Sequence, residues 1–293
     1  MKFIKRWAAT LVAVGVMGMA SSAWALSLGS AADFAVLTVP GSSYLNFSAV
    51  TVNGNVGVGS GGSLNLMSPS TINGDVYLTS AGQMYGPGTL NGTSTVNAPY
   101  VAQAISDAMT AYNTATALAP TVTINGNLTT NTSITGNGGM NVIKITGNVN
   151  LNSQSLTLNG TSADTFVINV AGGFDLGGNG GIVAGAGVSA SQILINVESS
   201  GTKLTSKVGN IVDGTLLAPY DPLEFHSVSG AIFAGGGGEV KLMSDATVDN
   251  VPFSPPPPPP PPPGTAVPEP LTAGLSLLGL VALGFKAVSR QRA

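Results

Sequence analysis

The chain has 293 residues, a net charge of −3 and a mean hydropathy of +0.34, and only 8% of its residues are charged. So few lysines and arginines argue against a nucleic-acid surface, which needs them clustered against phosphate. Cysteine is absent, so an exported form would rely on backbone hydrogen bonding and apolar stacking rather than on disulfides.

At the N-terminus, Lys2, Lys5 and Arg6 precede an apolar stretch over 7–19, and Ala23-Trp24-Ala25 gives the small-x-small pattern of a signal-peptidase site. The pattern predicts a signal peptide over 1–25, cleaved after Ala25. The apolar stretch is short for a membrane span.

Residues 26–253 then form the expected domain. They hold four lysines, no arginine and twelve acids, a net charge of −8. Gly, Asn, Ser and Thr dominate, with Val, Ile and Leu spaced regularly enough to argue for strands over disorder. One pattern recurs: apolar, polar, Gly, polar or small, apolar. It reads Val52-Asn53-Gly54-Asn55-Val56, Ile72-Asn73-Gly74-Asp75-Val76, Ile124-Asn125-Gly126-Asn127-Leu128 and Ile145-Thr146-Gly147-Asn148-Val149. Weaker copies centre on Gly214 and Gly230. Steps between paired glycines are 20, 21 and 16 residues, a solenoid period. Short strands with aliphatic residues inward would stack as coils around a shared core, with Asn-Gly turning each corner at positive φ. Asn-Gly also closes hairpins, which would give a β-sandwich, but the step is that of a full coil. The predicted fold class is therefore mainly β, a β-solenoid.

One segment breaks the pattern. Over 98–118, Val101, Ile105, Ala108, Met109, Tyr112 and Ala115 have helical spacing. Pro99 suits the first turn, Asn97 can cap it and Pro120 follows its end. This predicts one amphipathic helix packed along the side of the solenoid.

Residues 254–266 form a linker whose nine prolines, 255–263, favour a polyproline II rod about 28 Å long. The tail, 267–293, begins with Val267, Pro268, Glu269 and Pro270. It continues with an apolar run over 271–288, interrupted by Lys286, and ends with Arg290 and Arg292. As a helix that run would cover about 27 Å, close to a bilayer core of about 30 Å. The terminal arginines would stay cytoplasmic. This predicts a C-terminal transmembrane helix.

Two resemblances rest on these residues. The tail resembles the PEP-CTERM sorting signal of Gram-negative bacteria. That likeness implies export, an inner-membrane intermediate, processing by an exosortase-type enzyme, and association with extracellular polysaccharide at the cell surface or in the matrix. Within the domain, Leu28-Gly29-Ser30-Ala31-Ala32-Asp33-Phe34-Ala35-Val36-Leu37 and the helical Ala108-Met109-Thr110-Ala111-Tyr112-Asn113 are similar to the ice-binding-like β-solenoid family. Other stretches look more like the "choice-of-anchor A" surface domains: Gly138-Gly139-Met140-Asn141-Val142-Ile143, Asp164-Thr165-Phe166-Val167-Ile168-Asn169-Val170 and Gly214-Thr215-Leu216-Leu217-Ala218-Pro219.

Catalytic chemistry is sparse. The only histidine, His226, lies near Asp221 and Glu224 on an expected loop, and reads as solvated surface. Gly235-Gly236-Gly237-Gly238 lacks the Lys-Ser/Thr of a phosphate loop. Gly177-Gly178-Asn179-Gly180-Gly181 lacks the repeated Asp of a calcium coil. Asp164, Asp175, Asp213 and Asp245 would have to converge for glycoside hydrolysis. No catalytic, cofactor or metal residue is assigned, and the chain reads as no enzyme. The threonine clusters, Thr89, Thr93 and Thr95, and Thr129, Thr130, Thr132 and Thr135, keep no strict register in the sequence. The leading expectation is therefore a structural or adhesive protein of the surface and matrix, meeting polysaccharide through polar Asn, Ser and Thr faces. Ice binding is the alternative and a carbohydrate-active enzyme the third reading.

Overall fold

The computed structural model describes residues 26–40, 43–243 and 245–255. The signal peptide with Ala23 and Ala25, the Val267-Pro268-Glu269-Pro270 motif, the expected membrane helix and all but the first two linker residues lie outside them. No helix among the described residues is long and apolar enough to cross a membrane.

The domain is a β-solenoid of parallel strands with three faces, as the coil period predicts. One face is a ten-stranded sheet and the second an eight-stranded sheet. The third divides into a five-stranded and a four-stranded sheet, which touch at a single bridge between Asp213 and Ser229. Inward side chains of successive strands stack in continuous columns. One such column on the second face runs Met84, Leu64, Leu45, Val240, Leu223, Leu204, Phe174, Val149 and Leu128. Each coil supplies aliphatic residues that only its neighbours can cover, so the stack, and not the single coil, makes the core.

The order of the coils is not the order of the chain. The first strand of the ten-stranded sheet, Phe34–Val39, lies in its middle, between Asn55–Val58 and Ile232–Gly235. The chain winds from there to one end, at Ser94–Val96. It restarts at the other end with Val122–Ile124 and winds back until its last coil stacks on its first. The helix Ala98–Ala117 makes the return. Nine strand spacings separate the two ends, about 43 Å, and a 20-residue helix supplies about 30 Å of that.

The helix forms where the spacing predicts. Asn97 caps it, accepting from the Tyr100 amide at 3.3 Å, and it ends just before Pro120. It buries Val101, Ala104, Ala108, Ala111, Tyr112 and Ala115 in a second apolar cluster against Phe34, Leu37, Val167, Leu194, Leu217 and Phe233. Its last turn is tied down by Asn169, whose amide donates to the Ala115 carbonyl at 2.7 Å. Asn196 donates to Asn169 at 2.9 Å and to the Thr116 hydroxyl at 3.0 Å. The ten-stranded face is thus covered, and the second and third faces meet solvent.

The corner glycines need a correction. Gly54 and Gly126 have the expected positive φ, 152° and 80°, but Gly74 and Gly147 do not. Close approach between coils selects them: a Cβ on Gly74 would lie 2.4 Å from the Gly54 carbonyl carbon, and one on Gly147 would lie 2.6 Å from that of Gly126. The paired copies do stack on each other. They occupy two different corners, however, since Gly54 and Gly74 follow the third face while Gly126 and Gly147 follow the ten-stranded one. That is why the repeat blurs between pairs.

Candidate functional site

The third face carries a regular array. Thr51, Thr71, Thr89 and Thr247 occupy one register position on four adjacent strands. Two residues on, pointing to the same side, stand Asn53, Asn73, Asn91 and Asp249. The residues between them, Val52, Ile72, Leu90 and Val248, belong to the core side. Each coil therefore repeats Thr-aliphatic-Asn, with Asp in the fourth place. The array repeats at about 4.8 Å across strands and about 6.6 Å along them.

Both columns are stiff for different reasons. Threonine is β-branched and restricted at χ1. The asparagines are fixed by one another: Asn91 donates to Asn73 at 2.8 Å, Asn73 to Asn53 at 2.8 Å, and Asn53 to the Asp249 carboxylate at 2.7 Å. An amide has two donor hydrogens and two acceptor lone pairs. Each inner rung of this ladder uses one of each and leaves one of each for water, pointing the same way on every coil.

The face continues through Ser227 and Ser229, then Ile211 and Asp213, and on through Gly181 and Val183, Ser155 and Thr157, and Ser133. A groove of about 160 Å³, lined by Ile211, Asp213, Ser227, Ser229, Thr247 and Asp249 among others, interrupts it where the two sheets meet. Burial pushes the Asp213 carboxyl above its ordinary range, against the bond it accepts from the Ala184 amide at 2.8 Å.

The second face has the same backbone lattice and different side chains. Its outward column runs Tyr85, Asn65, Asn46, Lys241, Glu224, Thr205, Asp175 and Asn150. Glu224 pairs with Lys203, Asp175 accepts from Thr205, and Asn46 donates to Glu239 at 3.0 Å. Charged groups of both signs stand on this surface.

The acids singled out in the sequence do not come together. Asp164 is buried at the start of a strand of the ten-stranded sheet, where it accepts from the Gly138 and Thr161 amides at 2.7 and 2.9 Å and from Asn141 at 3.1 Å. Burial works to raise its pKa, yet these bonds hold it below the ordinary range. Asp175 lies on the second face and Asp213 on the third, while Asp245 sits at a corner with φ 64°. Asp221 is fully buried and accepts from Ser199 at 2.8 Å and Thr202 at 2.9 Å. Glu224 is paired with Lys203. Among the described residues no group of three His, Cys, Asp or Glu side chains is placed to hold a metal.

Sequence reasoning missed the array because it grouped threonines that are neighbours in the chain. Thr93 and Thr95 do not share the register of Thr89. The usable signal is the four-residue string Thr-Val-Asn-Gly at 51–54, Thr-Ile-Asn-Gly at 71–74 and Thr-Leu-Asn-Gly at 89–92, in which Asn belongs to the outward face and only Gly to the corner.

A family model described as Ice-binding-like matches residues 39–246. Among solved structures, the chain is similar to an ice binding protein from an Antarctic biological consortium, at 26% identity and a TM-score of 0.56, covering 75% of this chain and 88% of that one. It is also similar to a glycosylated ice-binding protein from an Arctic yeast, at 22% identity and 0.55, covering 78% and 95%. A third likeness is to the DUF3494 domain of a Shewanella frigidimarina ice-binding protein, at 21% and 0.56, covering 76% and 96%. The last two speak for the fold alone. No curated protein matches. These findings overturn the expectation of a structural or adhesive protein of the matrix: the family match spans most of the domain, and a threonine register is present across coils, carried by Thr51, Thr71, Thr89 and Thr247 rather than by the clusters adjacent in the chain.

Proposed function

We propose that this chain, which belongs to the ice-binding-like family, binds ice through the third face of its solenoid. The observation that carries the reading is the in-register array of four coils, Thr-x-Asn on three and Thr-x-Asp on the fourth. Ice recognition needs a flat, stiff surface whose groups repeat at distances that ordered water can match. Charged groups oppose it because they hold water in their own hydration geometry. The array meets the first need, with hydroxyl and methyl groups in one column and uniformly oriented amides in the next, and its one charged group, Asp249, is taken up by the Asn53 amide at 2.7 Å. Binding is a sum of many weak contacts on a rigid template, so pre-ordering of the side chains matters more than the strength of any one bond. Thermal hysteresis and ice-recrystallisation inhibition by the purified chain test this directly. Activity in neither assay would sink the reading.

The finer placement rests on sequence pattern alone. The leader over 1–25, the domain over 26–253, the rod over 254–266 and the PEP-CTERM-like tail over 267–293 together describe an exported ice-binding domain held off a membrane by a stiff spacer. An exosortase-type enzyme would act near Pro268. Mass spectrometry of the C-terminal peptide from the native host tests this: a form ending near Pro268 supports processing, and an intact form ending at Ala293 overturns it.

A further inference from the structure

The asparagine ladder has a direction, and one residue sets it. Asn53, Asn73 and Asn91 could each present nitrogen or oxygen toward the next coil, because an amide both donates and accepts. A chain of amides alone could run either way with nearly equal energy. Asp249 removes that freedom. A carboxylate accepts only, so Asn53 must turn its nitrogen toward it, at 2.7 Å. The Asn53 oxygen then faces Asn73 and must accept, at 2.8 Å, and the Asn73 oxygen must accept from Asn91, also at 2.8 Å. Orientation passes from the one charged group through three coils.

We infer that Asp249 is the positioning residue of this face: it locks three amides into one orientation and so fixes which hydrogens and lone pairs the face shows to water. The inference rests on the ice-binding reading for its purpose, but not for its geometry. The second face provides a parallel. There Glu239 accepts from Asn46 at 3.0 Å, and Asn46 accepts from Asn65 at a longer 3.4 Å. Glu239 and Asp249 both belong to the last coil, and both receive amides of the first coil across the junction where the chain closes on itself. That ladder ends after two rungs, because the next coil presents Tyr85 in place of an amide. On the third face the shared Thr-x-Asn spacing carries it further.

The test is D249N, which keeps shape and hydrogen-bonding capacity while removing the acceptor-only rule. The full chain, labelled with 15N and 13C at Asn and Asp, is examined by NMR for couplings through hydrogen bonds, from each Asn Nδ2 to the acceptor Cγ. The wild type is expected to give Asn53 to Asp249, Asn73 to Asn53 and Asn91 to Asn73, with no reverse couplings. In D249N both directions become accessible, the side-chain amide signals of the three asparagines double, and about half of the molecules carry the wild-type orientation. Hysteresis should fall to about half. A single, unchanged set of couplings in D249N would overturn the inference. Doubled signals with undiminished hysteresis would overturn the positioning role. A wild type with ordered amides and no ice activity would defeat the proposed function, while the NMR comparison would still decide whether Asp249 sets the direction.

Discussion

The second and third faces share one strand spacing and one core; the second is a single eight-stranded sheet, the third is divided in two, and they differ most in what stands on them. On the second face the outward positions run through Lys241, Glu224, Thr205 and Asp175, and neighbouring coils satisfy one another through one ion pair, Lys203 to Glu224, and through hydrogen bonds to Asp175 and Glu239. On the third, four coils repeat Thr in register, followed by Asn on three of them and Asp249 on the fourth. The difference teaches that a solenoid's lattice is not itself a template. Backbone spacing offers a grid on every face. A face becomes a template for ordered water only where the side chains are stiff, nearly uncharged and identical from coil to coil.

A bulky substitution on each face breaks the comparison most sharply. Thr71 is in the interior of the array, flanked by Thr51 and Thr89. T71Y is expected to remove nearly all thermal hysteresis while changing unfolding free energy by no more than about 0.5 kcal/mol, since the site is outward-facing. Thr205→Tyr places the same ring on the second face and should leave hysteresis unchanged. Equal losses from both variants would show that the faces are not functionally distinct.

Asn73→Ala acts on the ladder instead of the flatness. It removes the rung that donates to Asn53 and accepts from Asn91. Chemical denaturation should show a loss of about 0.5–1.5 kcal/mol per hydrogen bond at most, and less where water replaces the lost partner. Hysteresis should drop partially, by less than in T71Y, because the threonine column survives. The equivalent change on the second face, Asn46→Ala, should cost similar stability and no ice activity.

Much of this architecture was legible from the residues. The glycine steps gave stacked coils, and the spacing of Val101, Ala108, Tyr112 and Ala115 with Asn97 and Pro99 gave the helix nearly to its ends. What could not be read was which coils are neighbours. Asp249 stands beside Asn53 although 196 residues separate them, because the helix carries the chain to the far end and the last coil returns to the first. A register that crosses such a junction has no local period. The array was half-legible for the same reason: Thr51, Thr71 and Thr89 follow a step of 18–20 residues, whereas Thr247 joins them only through the fold. The matrix role stood above ice binding because the tail resembles a sorting signal and because threonines were grouped along the chain and not across coils.

Asp213 marks where the third face loses its regularity, and its titration sharpens the boundary. Burial raises its pKa in the folded state, so the folded chain holds this proton more tightly than the unfolded chain. The ionised carboxylate therefore lowers stability, an effect absent below the ordinary carboxylate pKa and complete once pH exceeds the raised folded value. Asp213→Asn should raise the melting temperature at neutral pH, with the difference vanishing in acid. Hysteresis should stay near the wild-type level if the four-coil array is the active part. A marked rise would mean that the groove coil also limits binding.

The smallest effect belongs to the charged face. Lys203 and Glu224 form an ion pair with Lys203 largely exposed, and the bond from Lys203 holds the Glu224 carboxyl below its ordinary range. That contribution is present above the unfolded-state pKa and is lost as pH falls through the lowered folded value. Solvent screening and side-chain entropy limit such pairs to about 0–1 kcal/mol, so Lys203→Ala should shift stability by that much or less, and less still at high salt. If the second face takes no part in ice recognition, hysteresis should be identical to wild type at every salt concentration. A salt-dependent change in K203A would instead mean that the charged face feels the ice front, and the division of labour between the two faces would have to be redrawn.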